Sequence, residues 1–117
     1  MRQYFRKKIE LVSTGAASES LYDIIVDSGL IYIYTHISVE NLTSAYSKLR
    51  IGVDSVSEFQ QHEEEISPAA GRVYWTKSDI YVFPVERLQV VVSGCSAGDK
   101  LEVLAQGYIE KAEKLNA

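Results

Sequence analysis

Arg87-Leu88-Gln89-Val90-Val91-Val92-Ser93 alternates side chains with a period of two, and this stretch decides the fold class. Successive side chains of an extended strand point to opposite faces, so Leu88, Val90 and Val92 share one side while Arg87, Gln89, Val91 and Ser93 share the other. The same pattern sets Leu49, Ile51 and Val53 against Lys48, Arg50 and Gly52. From Lys100 to Glu110 it gives an inward set of Leu101, Val103, Ala105, Gly107 and Ile109 against Lys100, Glu102, Leu104, Gln106 and Tyr108. A helix competes there, but the flanking glycines and the β-rich run before it favour a strand.

Working outward, Phe5, Ile9 and Leu11 mark a first strand, and Tyr22, Ile24 and Val26 a second. Leu30 to Val39 reads as a third, with Ile31, Ile33 and Ile37 on one face; Arg72–Thr76 and Ile80–Phe83 supply two more. Turn chemistry separates them at Asp27-Ser28-Gly29, Ser67-Pro68, Thr76 to Asp79, Phe83-Pro84, and Ser93-Gly94 through Gly98-Asp99. Strands arriving every ~8–12 residues without helical crossovers predict an all-β protein, an antiparallel β-sandwich of about eight strands with jelly-roll-like topology. One domain spans 1–117, with 111–117 as a frayed tail of some helical propensity. Two segments resist the pattern: Ser38 to Tyr46 reads as a long loop holding one helical turn, and Val56 to Ile66 as a polar edge strand or a short helix.

The totals narrow the function classes. The chain has 117 residues and a mass of 13.1 kDa, with 46% apolar and 24% charged residues, an ordinary globular balance. A net charge of −4 argues against general nucleic-acid binding, since the basic cluster Arg2, Arg6, Lys7 and Lys8 reads as a solvated terminal strand. The single cysteine, Cys95, forbids an internal disulfide, and no apolar stretch is long enough to span a bilayer. The start has no signal-peptide layout, which leads us to expect a protein used in the cytosol of its producing cell or in a particle assembled there. The sequon Asn41-Leu42-Thr43 is then a chance match.

No catalytic, cofactor or metal site is expected. His62-Glu63-Glu64-Glu65 offers ligand-type side chains, but a strand leaves at most a pair on each face, and a charged edge explains the same letters. His36 has no second ligand at suitable spacing, Cys95 sits in a turn outside any CxxC, and phosphate-cradling and nucleophile-elbow motifs are absent. More informative are the faces expected to meet water, which carry Tyr32, Tyr34, His36, Val91, Leu104 and Tyr108. Covering by the chain's own loops and burial against another molecule both account for them; eight tyrosines favour an interface, and self-association is its economical form.

The run Gly71-Arg72-Val73-Tyr74-Trp75-Thr76, then Ile80-Tyr81-Val82-Phe83-Pro84, Arg87 to Gly94, and Ala97-Gly98-Asp99-Lys100-Leu101-Glu102-Val103 with Gly107-Tyr108 resembles small β-sandwich structural proteins of tailed bacteriophage particles. The likeness covers roughly Leu30 to Glu110. It implies a non-enzymatic virion component (capsid, connector or tail), assembled in the host cytoplasm as a homo-oligomer with other virion proteins, without nucleic-acid or membrane partners. The competing expectation is a carbohydrate- or ligand-binding sandwich using Trp75 and nearby tyrosines. Alternation with Val73 would place Trp75 in the core and weaken it.

Overall fold

Nine strands and no helix make up residues 2–111, the part of the chain that the computed structural model describes. They are β1 (Gln3–Val12), β2 (Ser18–Tyr22), β3 (Leu30–Asn41), β4 (Lys48–Ser55), β5 (Glu58–Ile66), β6 (Tyr74–Trp75), β7 (Ile80–Val82), β8 (Arg87–Ser93) and β9 (Lys100–Lys111). One sheet, A, has the order β1-β9-β3-β6, with β7 also on β3; the other, B, has the order β2-β8-β4-β5. All pairings are antiparallel. With β6 and β7 counted as two pieces of one interrupted edge strand, the order is that of an eight-stranded jelly roll. The expected β-sandwich is the fold.

The alternating apolar positions meet between the sheets. Leu49, Ile51 and Val53 of β4 and Leu88, Val90 and Val92 of β8 face Val39 of β3 and Leu101, Val103 and Ala105 of β9. Period-two patterning reads these strands directly because each buries one face.

β3 departs from it. The β3–β9 register slips between Tyr34 and His36, leaving Thr35 as an extra, exposed residue. A bulge of this kind reverses which residues point inward. Before it Tyr32 and Tyr34 face the core, and after it Ile37 and Val39 do. Tyr32 and Tyr34 are therefore corrected from outward to inward positions, at 7% and 0% exposure. Ile31 and Ile33 take the outer face in their place, so the expected grouping of Ile31, Ile33 and Ile37 is broken by one inserted residue.

Other boundaries shift for local reasons. β2 ends at Tyr22, and Ile24 and Ile25 are exposed in the connection. β3 continues to Asn41, and no helical turn forms before Tyr46. Val56 to Ile66 contains a β-hairpin turn and the edge strand β5. β6 holds only Tyr74 and Trp75. The expected tail at 111–117 begins on the last residue of β9; its remainder lies outside the described residues.

β5 is stitched to the opposite sheet through its inward carboxylates. Glu63 accepts hydrogen bonds from the Tyr74 hydroxyl at 2.5 Å and the Lys77 amide at 2.9 Å, and Glu65 pairs with Arg72 at 2.9 Å. The acidic run thus splits by face as strand geometry requires, and His62 is the extra residue of a second bulge.

The β4–β5 hairpin turns on Val56 and Ser57, with φ of 51° and 66°. A two-residue turn with both φ positive suits Asn-Gly, whereas a β-branched residue is strained there. Val56 is 79% exposed, so its side chain packs little. The double substitution Val56→Asn/Ser57→Gly is expected to raise unfolding free energy by ~1 kcal/mol, measured by urea denaturation.

Candidate functional site

The outer face of sheet A carries the features that an interface requires. Strand register sets Tyr4, Tyr108, Ile33 and Tyr81 side by side across β1, β9, β3 and β7. Tyr4 and Tyr81 are exposed, whereas Ile33 is only 3% exposed at the centre of the row, shielded by its flanking rings. Two register steps away, Leu104 stands opposite Ser38, which in turn stands opposite Trp75. Trp75 is 51% exposed, because β6 turns Tyr74 inward and Trp75 outward; the core position suggested by Val73 is corrected. His36, paired with Gln106, lies between the two rows.

Cationic groups rest on these rings. The Arg2 guanidinium lies 4.1 Å from the Tyr108 ring centroid and its Nε lies 3.2 Å from Glu110. The Lys77 ammonium sits 4.9 Å from the Trp75 centroid. Arg2, Tyr4, Arg6, Thr35, Gln106 and Tyr108 line an open cleft of about 650 Å³ beside the β3 bulge. Such a face can pack apolar surface and hold its neighbour in register with guanidinium and amide hydrogen bonds.

The expected interface residues divide among three places. His36, Leu104 and Tyr108 share this face. Val91 lies on the outer face of sheet B, at 5% exposure between its cross-strand neighbours Ser20 and Arg50. On that face Arg87 pairs with Asp54 at 2.8 Å and stacks 3.6 Å from the Tyr22 centroid. Tyr32 and Tyr34 are in the interior, where the Tyr34 hydroxyl donates to Asp23 at 2.5 Å and Lys7 holds the same carboxylate at 3.0 Å. Burial, then Asp23, raises the pKa of the Tyr34 hydroxyl and keeps it protonated. Tyr4, Tyr81 and Ile33 were missed, although Tyr4 beside Phe5, and Tyr81 between Ile80 and Val82, carry the alternation that identifies them.

The residues with reactive side chains are engaged otherwise. Asp99, 2% exposed, accepts hydrogen bonds from Ser44 Oγ at 2.6 Å, the Ser96 amide at 2.9 Å and Asn41 Nδ2 at 3.0 Å. Asn41 is fully buried, so its amide nitrogen is unavailable to a glycan. Burial, then the Asp99 charge, pushes the Cys95 thiol up to about 11, which keeps it protonated. His36 and His62 lie on different sheets. Among the described residues no three His, Cys, Asp or Glu side chains converge as metal ligands would.

No protein-family model matches the chain, and no curated protein matches it. Among solved structures it is similar to a Bacillus endospore appendage protein from a family of disulfide-linked pili, with 14% identity over 95% of this chain and 90% of that one, TM-score 0.49. It is also similar to a Clostridium thermocellum xylanase 10B chain with CBM22-1 and GH10 modules, complexed with xylohexaose. That match has 16% identity over 88% of this chain and 21% of that one, TM-score 0.42. With both TM-scores below 0.5, neither likeness bears on function.

Hydrogen bonds from Ser44, then Asn41 and Ser96, hold the Asp99 carboxyl below the usual carboxylate range. A pKa lower in the folded than in the unfolded chain adds stability that is complete above the unfolded pKa of ~3.9 and is lost as pH falls through the folded one. Wild type should therefore exceed Asp99→Asn in Tm above about pH 5, with the gap narrowing as pH falls through the acid range. Thermal melts across that range check it.

Proposed function

We propose that this protein is a non-enzymatic structural component of a tailed-bacteriophage particle, assembled in the host cytoplasm through contacts with its own copies and other particle proteins. The outer face of sheet A carries this reading. Tyr4, Tyr108, Ile33 and Tyr81 form one row across four strands, with Leu104 and Trp75 beyond it, and of these Tyr4, Tyr81, Leu104 and Trp75 are exposed. Aromatic residues with guanidinium groups at the rim are the composition of protein contact surfaces. Burying the rings releases ~25 cal/mol per Å² of apolar area, from which the costs of association are subtracted. The resemblance of roughly Leu30 to Glu110 to phage β-sandwich proteins supplies the particle context.

The cleft lined by Arg2, Arg6 and Gln106 supports a second reading, a module for a polar ligand such as a carbohydrate, with exposed Trp75 nearby. Analytical ultracentrifugation separates the two. The purified chain should sediment above 13.1 kDa as concentration rises, and Tyr108→Glu should weaken association at least ~10-fold while leaving the far-ultraviolet circular dichroism unchanged. A chain that stays monomeric at all concentrations overturns the assembly reading, and a Trp75 fluorescence response to oligosaccharides in that chain favours the alternative.

A further inference from the structure

The two long edge strands of the sandwich carry opposite charge and lie on opposite flanks. β1, ten residues long, pairs only with β9, and β5, nine residues long, pairs only with β4. Among the described residues, no further backbone hydrogen bond reaches either outer rim. The other edges are poor templates: β2 has five residues, and the β6/β7 edge is broken into pieces of two and three. β1 adjoins β2 on one flank through the Lys7–Asp23 pair, while β5 adjoins β6 on the other through Glu63 and Tyr74.

β1 carries Arg6, Lys7 and Lys8 against a single carboxylate, Glu10. β5 carries Glu58, Glu63, Glu64 and Glu65 with no lysine or arginine. The charges left to meet a partner agree in sign with their strands. Arg6 is exposed and outside every ion pair among the described residues, and the Lys8 side chain is 52% exposed despite Glu102 at 3.5 Å. On β5, Glu58 and Glu64 are exposed and likewise outside those pairs.

We infer that β1 of one copy pairs with β5 of a second copy, extending sheet A of the first into sheet B of the second. This rests on the self-assembly reading above and adds to it a contact at the sheet edges. Strand addition satisfies both rims of backbone donors and acceptors. Like-with-like edges would oppose cations to cations, or carboxylates to carboxylates, so charge selects the mixed pairing. Because the two surfaces differ and face opposite ways, each added copy presents a fresh edge, and the assembly grows head to tail.

Charge reversal tests it in the full chain. Arg6→Glu/Lys8→Glu and, separately, Glu58→Lys/Glu64→Lys should each reduce polymer mass in ultracentrifugation by ~10-fold or more, with unchanged circular dichroism. Mixing the two variants should restore growth, because every contact then joins two native or two reversed edges. Combining all four substitutions in one chain should restore it as well. The inference is overturned if both variants assemble as wild type does, or if neither the mixture nor the combined variant recovers. Wild-type association that is lost in Tyr108→Glu but indifferent to edge charge keeps the assembly reading and rejects this pairing; a wild type that never associates rejects both.

Discussion

The bulge at Thr35 is the constraint on which the arrangement of sheet A depends. β3 is the central strand of that sheet, pairing with β9 along one side and with β6 and β7 along the other. A strict twofold pattern over its twelve residues would send either the tyrosines or Ile37 and Val39 to the wrong side. One extra residue lets both pairs face inward, and Thr35 Oγ1 donates to the Gln106 carbonyl beside the irregularity. The outward displacement of Ile31 and Ile33 is the other half of the same event. The apolar outer face and the cleft at the bulge thus share one backbone cause.

The interior shows why the tyrosines belong there. The Phe5 ring lies 5.5 Å from Tyr32 and 5.3 Å from Tyr34, and the Tyr34 hydroxyl reaches Asp23, which Lys7 neutralises. A buried phenol requires a partner for its hydroxyl, and a buried carboxylate requires a counter-charge. Lys7 lies in the basic run of β1, yet it turns inward, while Arg6 and Lys8 turn outward. Strand alternation divides that run into a structural cation and a surface pair.

Much of the fold was legible in the sequence because β4, β8 and β9 bury one face each, and their core residues follow from period two alone. β3 was misread because its apolar residues run nearly without interruption from Leu30 to Tyr34, and such a run does not say which face is inner. No local residue type marks the bulge. The Val56-Ser57 turn escaped for a related reason, as neither residue is a usual left-handed former. At the candidate site, alternation turns Leu104 and Tyr108 to the outer side of β9, whereas His36, which it groups with Tyr32 and Tyr34, joins them, as Tyr4 and Tyr81 do, only through long-range register. Trp75 was misplaced because β6 is too short to express a pattern.

Deletion of Thr35, followed by urea denaturation, tests the role of the bulge most directly. Removing that residue lets Tyr34 and His36 pair in sequence with Gly107 and Gln106, so Tyr32, Tyr34, Ile37 and Val39 all keep facing inward under strict alternation. The account predicts a variant that stays folded within ~1 kcal/mol of wild type and with an unchanged denaturant slope, because no core position is emptied. A loss of at least ~4 kcal/mol, comparable to emptying two large core positions, would contradict it.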